Sequence, residues 1–349
     1  MEAFNKNIMK KERDLSLDII RIIAIIMVLY NHKDVYTWYL RYDTFGLKFF
    51  ITSALAILCK AGPPLFLMVS GYLLLQKEEE IVQIFKHRIV RMFIVLVWIA
   101  TSMYIFNMID SWKSALFSQA NWYIYSYIGY LLMLPILRMV VKNAEDAIGK
   151  YYLIVVALVY SIIGILLVFS KQQSFTKYMP LFATDWAPYC WNIIFPVSAV
   201  FLYRLGQGEN KEKISVCLRV GTAGTLIVAS YLLYYDVRNN GGANLESIIQ
   251  HSIIFPTWDI FYSLTSKKIR IESNKIANLV SNLSKNTFGM YIIEISTPLS
   301  PIYINMLVNK NELLCGTFIN WIIAIVIEFV LYNVMILGLR KMPFVKRIL

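Results

Sequence analysis

Ten long apolar runs punctuate the 349-residue chain, at about 17 to 39, 49 to 75, 89 to 109, 121 to 141, 151 to 170, 186 to 205, 215 to 235, 245 to 265, 279 to 299 and 316 to 338. A helix needs about 20 largely apolar residues to cross the hydrocarbon core of a bilayer, and each run is near that length. The expected fold is therefore an all-α, polytopic membrane bundle of about ten transmembrane helices. Only 16% of the residues are charged and 58% are hydrophobic, with a mean hydropathy of +0.56; a soluble domain carries about 25% charged residues. Little chain is left for a soluble module. The expected layout is a single membrane-embedded domain over 1–349, made of a tail at 1–16, a ten-span bundle at 17–338 and a tail at 339–349. The first run is too long, too charged and too poor in small residues to be a cleaved signal peptide.

The net charge of +12 raises the question of nucleic acid, and the placement of the charge answers it. With the N-terminus in the cytoplasm, 24 of the 34 Lys and Arg fall in the tails and loops on that side. Eight fall on the other side, among them Lys33, Lys171, Lys177 and Lys310, while Arg21 and Lys60 lie inside runs. This is the positive-inside pattern, so both termini are expected in the cytoplasm and no nucleic-acid partner is implied. Trp38, Trp112, Trp122, Trp186, Trp191 and Trp321 fall near the outer ends of runs, where an aromatic belt belongs. Cys59, Cys190, Cys217 and Cys315 show no ligand spacing, and no metal is implied.

The first run, read from Leu17 to Trp38, carries Asp18, Arg21 and His32. Arg21 and His32 are eleven residues apart, which puts them on one face of a helix with a rise of roughly 16 Å between them. Ionisable groups at membrane depth are costly in lipid, so this stripe should face protein or a water-filled cavity. His32 is then either a site residue in the outer half of the span or a bonded interior histidine. In the second run, Lys60, Gly62, Pro63 and Pro64 demand a kink or break. Broken backbone at membrane depth must be buried in protein or line a cavity, so this run should pack on the stripe. Ser70, Gly71 and Tyr72 follow, as a substrate contact or as a small-residue helix crossing.

Lys86, Arg88 and Arg91 stand at the start of the third run, either to hold phosphates of a nucleotide such as coenzyme A or to anchor that span. The fourth run opens on Trp122 and Tyr123, aromatic groups at the outer face. In the eighth, His251 lies about 10 Å below the outer boundary and competes with His32 for a catalytic role. In the ninth, Glu294 either orients or charges His32 or sits at the rim of the outer loop.

The pattern SLDIIRIIAIIMVLYNH, with Arg21, ten residues and then His32, resembles the signature of the integral-membrane acyltransferase 3 family. Three more stretches agree in order along the chain: PLFLMVSGYLLL, NWYIYSYIGYLLMLPILR and LSKNTFGMYIIE. One position departs, since the family commonly has His where this chain has Glu294, and the Arg21–His32 pair is intact.

The resemblance implies transfer of an acyl group, usually acetyl, from cytoplasmic acetyl-CoA to a hydroxyl of a surface glycan, in a bacterial cytoplasmic membrane, alongside glycan-assembly proteins. It implies that His32 is catalytic and Arg21 engages the donor; on the residues alone, Lys60, Ser70, Gly71, Tyr72, Trp122, Tyr123 and His251 are substrate-binding candidates. A different class of protein, an exporter with a polar path through Arg21, His32, Lys60 and Glu294, uses the same buried charges and broken helices without acyl chemistry.

Overall fold

In the computed structural model, helix α1 (Leu15–Asn31) is the element the others surround. Its face over Leu17, Ile20, Ala24, Ile25, Val28 and Leu29 is buried, while Ile26 on the opposite side is exposed. It packs against α2 (Leu47–Cys59), α3 (Gly62–Leu74), α11 (Ile254–Thr265), α12 (Asn274–Ser296) and α13 (Phe318–Leu339). Among the described residues the other α-helices are α4 (Ile81–Ile105), α5 (Trp112–Leu116), α6 (Trp122–Asn143), α7 (Asp146–Ile163), α8 (Ala187–Gly206), α9 (Lys211–Asn240) and α10 (Leu245–Ser252).

The structure describes residues 15–165, 187–267, 273–299 and 318–343, with positions 269, 271 and 345. The tail to residue 14, the segment 166–186 with Lys171, Lys177 and Trp186, and Lys268 and Arg270 lie outside the described residues. So do the segment 300–317 with Lys310 and Cys315, residues 346–349 with Lys346 and Arg347, and the side chain of Cys190.

Among the described residues there are no strands, and each of the ten apolar runs is helical. Six helical stretches are long and apolar enough to cross a membrane: Leu47–Leu74, Ile81–Ile105, Trp112–Asn143, Asp146–Ile163, Lys211–Asn240 and Trp321–Leu339. The other runs give shorter or more polar helices. The eighth is split between α10 and α11 at Ile253, and the inner half of α12 reads NKIANLVSNLSKN.

Two local features set the geometry of the centre. First, α1 ends seven residues before Trp38, and the chain continues as a short 3₁₀ helix, Asp34–Arg41. The last turn tightens, with the Lys33 amide donating to the Tyr30 carbonyl at 3.2 Å. On an unbroken helix Lys33 would sit about 120° from Arg21, between Ile22 and Ile26 and away from the buried face. The tightened turn instead lets its ammonium reach inward.

Second, the second run breaks at Lys60 and Ala61, as Pro63 and Pro64 require, and the prolines start α3, where their missing amides cost no helical hydrogen bond. Gly62 makes the join close. A Cβ there would come within 2.8 Å of the Ala24 carbonyl and 3.1 Å of Val28 Cγ2. Further along α3, a Cβ on Gly71 would fall 2.3 Å from Pro196 Cα, so α3 and α8 meet backbone to backbone. In lipid, such close packing rather than water exclusion holds helices together.

Candidate functional site at the end of the first helix

Taking Arg21 as the origin of a helical wheel, Val28 falls at about −20° and His32 at about +20°, both near the middle of the buried face of α1. Yet the side chains of Arg21 and His32 keep 28% and 36% of their accessible surface. Both groups therefore keep part of their surface on the side of α1 away from exposed Ile26, which lies about 140° from Arg21.

Around His32 the structure gathers a cluster of five groups. His32 Nδ1 is 3.4 Å from Glu294 Oε1, on α12. Lys33 Nζ donates to the same oxygen at 2.8 Å and lies 3.0 Å from Glu328 Oε1, on α13. The Tyr332 hydroxyl, one turn along α13, is 2.8 Å from Glu294 Oε2 and 3.0 Å from Glu328 Oε1. The side chains of Lys33, Glu294 and Glu328 retain 1%, 4% and 2% of their surface, so only His32 opens outward. A single ammonium has three protons to donate, which is how one lysine serves two carboxylates. With both carboxylates ionised, the buried part of the cluster is one positive charge short, and the neighbour able to supply it is His32.

At the other end of the stripe, Arg21 Nη1 lies 3.1 Å from Asp18 Oδ1, and the Ser284 hydroxyl donates to the same oxygen at 2.7 Å. Asp18 on α1 meets Ser284 on α12, while His32 and Lys33 meet Glu294, so the two helices run in the same direction. Between these ends the bundle narrows to a cleft of about 30 Å3, lined by Val28, Pro63, Phe66, Tyr123, Phe288 and Tyr291. The break in the second run thus packs on the stripe through Pro63 and Phe66.

The other residues singled out in the sequence are dispersed. Lys60 Nζ pairs with Glu246 Oε1 at 2.7 Å and lies over the Tyr36 ring at 5.3 Å. Ser70 accepts the Tyr130 hydroxyl on its carbonyl at 3.4 Å, Gly71 abuts Pro196, and the Tyr72 ring stands edge-on to Tyr203 at 4.6 Å. These are contacts of the helix crossing. Trp122 packs edge-on against Tyr123 and Trp191, and Tyr123 continues to Tyr291 at 5.4 Å. His251 is buried, with Nδ1 donating to the Tyr160 carbonyl at 2.7 Å, so it is a bonded residue on α10 facing α7.

Of the three basic residues at the start of the third run, Lys86 is exposed and Arg91 half-buried. Arg88 is engaged. Its Nε and Nη2 reach Glu79 Oε2 and Oε1 at 3.1 and 2.7 Å. Lys77 Nζ at 2.7 Å and Arg138 Nη2 at 3.0 Å complete three cations around this one carboxylate. Arg138 also donates from Nε to the Leu74 carbonyl at 2.9 Å, tying the end of α3 to the loop. The Arg88 hydrogen bonds hold the Glu79 carboxyl well below the usual carboxylate range, with Lys77 and Arg138 adding to them against the cost of burial. A cavity of about 720 Å3 opens beside this loop, lined in part by Lys77, Glu78, Arg138, Lys142 and Arg204.

Sequence reasoning missed Lys33, Glu328 and Tyr332. Lys33 was assigned to the outer loops, and the tightened end of α1 is what turns it inward. Glu328 did carry a signal, as the lone acid inside the most apolar run, whose mean hydropathy reaches 2.5 over Trp321–Leu339. Tyr332 gave none.

A family model described as an acyltransferase domain, acyltransferase 3, matches residues 14–339, nearly the whole chain. Neither the comparison with curated proteins nor that with solved structures found a match. The match takes in all four stretches that carry the resemblance, the Arg21–His32 stripe and the Glu294 helix among them, and the chain belongs to the acyltransferase 3 family of membrane acyltransferases.

Proposed function

We propose that the chain is a membrane O-acyltransferase that moves an acyl group, acetyl in the first place, from cytoplasmic acyl-CoA to a hydroxyl of a cell-surface polysaccharide or its lipid-linked precursor. The observation that carries this reading is the His32 ring, its side chain partly exposed and its Nδ1 set against buried Glu294, in a chain of an acyltransferase family. Nδ1 on the Glu294 side leaves Nε2 as the working nitrogen, the arrangement by which a carboxylate orients an imidazole as a general base.

In this mechanism the donor's phosphates meet the basic inner mouth, where Lys86 is exposed, Arg91 is half-buried and Arg88 is held by Glu79. Arg21, a rise of roughly 16 Å from His32 along the stripe, engages the donor, and the thioester is presented to His32. His32 Nε2 takes the proton of the sugar hydroxyl as that oxygen bonds to the thioester carbonyl carbon. The carbon–sulfur bond breaks, the sulfur leaves with its electron pair, and the imidazolium returns the proton to it. The products are an O-acyl sugar and the free thiol. Glu294 is a positioning residue, stabilising the imidazolium formed midway, and Lys33, Glu328 and Tyr332 keep Glu294 in place.

The test is purified protein in liposomes with labelled acetyl-CoA and a glycan acceptor, together with mass analysis of surface glycans from cells. Label should pass to the glycan with release of free thiol, and His32→Ala should abolish transfer at an unchanged level in the membrane. Glycan movement across the bilayer without thiol release, or full transfer by His32→Ala, overturns the proposal.

A further inference from the structure

The cleft between the two ends of the stripe has a defined chemistry. Its volume, about 30 Å3, is close to the room one water or one methyl group needs. Its lining is apolar apart from two buried tyrosines, Tyr123 and Tyr291. The Tyr291 hydroxyl has no hydrogen-bond partner among the described residues. A buried donor left without a partner costs enough that native structures rarely keep one unless something else satisfies it.

Position gives the cleft its meaning. Val28 precedes His32 by one turn on α1, and Tyr291 precedes Glu294 by one turn on α12, so both walls lie just below the His32–Glu294 pair on two helices that run the same way. Phe66, Phe288 and Tyr123 close the remaining sides.

We infer that this cleft is the acyl-group subsite, in which the methyl of an acetyl thioester packs among Val28, Phe66 and Phe288 while the Tyr291 hydroxyl donates a hydrogen bond to the thioester carbonyl oxygen. The inference rests on the proposed acyl transfer and adds to it the group transferred and a residue that touches it. As the sugar oxygen bonds to the carbonyl carbon, negative charge gathers on that carbonyl oxygen. It is returned to the carbon as the carbon–sulfur bond breaks. A hydroxyl fixed in an apolar wall is suited to that moment, since its interaction strengthens with the charge. The size of the cleft excludes longer chains, because each added methylene must displace a packed aromatic ring.

The experiment uses the full chain in liposomes with acetyl-, propionyl- and butyryl-CoA, read as thiol release and acyl-glycan formed. Wild type should favour acetyl, losing about tenfold or more for each added methylene. Phe66→Leu and Phe288→Leu, the second made in case the first does not reach the membrane, should narrow the acetyl-to-butyryl ratio by about tenfold while acetyl transfer persists. Tyr291→Phe, which keeps the ring, should lower kcat for acetyl by about 100-fold with KM little changed. Equal use of all three donors by wild type, or an unchanged ratio in both leucine variants, overturns the subsite. Full activity of Tyr291→Phe overturns the role of its hydroxyl. Thiol release from none of the donors by wild type overturns the acyl-transfer reading itself, and this inference with it.

Discussion

In the loop after α3, one carboxylate faces three cations; at the C-terminal ends of α1 and α12, two carboxylates face one ammonium and one imidazole. The Glu79 loop is saturated. Each oxygen of its carboxylate takes two of the hydrogen bonds from Arg88, Lys77 and Arg138, and the surplus charge is positive. With both of its carboxylates ionised the Lys33 cluster has the opposite surplus, and the imidazole is its exposed member. A saturated ion cluster pins backbone; an undersupplied one, with a titratable neighbour, is suited to moving a proton.

Substitutions can break that contrast. The largest effect expected is on rate, since His32→Ala should lower transfer by about 10²- to 10⁴-fold and change heat resistance in detergent far less than the loss of Lys33 does. A matching loss of heat resistance would make His32 a structural member of its cluster. Next comes Lys33→Met, which leaves two buried carboxylates without their cation and should cost about 3–5 kcal/mol of stability, read as loss of folded protein on heating. Adding Glu328→Gln to it should recover much of the loss.

Tyr332→Phe removes one hydroxyl from between two carboxylates and should cost about 1–3 kcal/mol by the same measurement. Glu79→Gln should cost less, about 1 kcal/mol, because Lys77 and Arg88 are partly solvated and their charges screened. Its pH dependence sharpens the comparison. The Glu79 carboxyl is held low in the folded chain, so its contribution is complete above the ordinary carboxylate value of about 4 and fades as pH falls below it. The stability gap between wild type and Glu79→Gln should therefore be constant near neutrality and close in acid. A gap that widened in acid would contradict the ion cluster.

The helical character of the chain, its break at Pro63 and Pro64 and the inward stripe of α1 were legible in the sequence, because apolar length, proline chemistry and helical spacing are local properties. So was a link between His32 and Glu294, since a buried carboxylate needs a partner. The Lys33 cluster was not legible, because it depends on where α1 stops. A one-residue change in the end of a helix swings a side chain by about 100°, and nothing in NHKD states which turn is the last. The role of Ser70, Gly71 and Tyr72 was legible only as two alternatives. The close approach of Gly71 to Pro196 and the Tyr72–Tyr203 contact show the helix crossing.

Lys33 follows His32 directly, and its ammonium is clamped by acids on two other helices. The imidazole is therefore moored: the 3₁₀ segment beyond can sway, but to drag the ring along it would have to pull a cation out of its socket. Traffic must then come to a stationary ring. In the proposed transfer it is the donor and the acceptor that are brought to it.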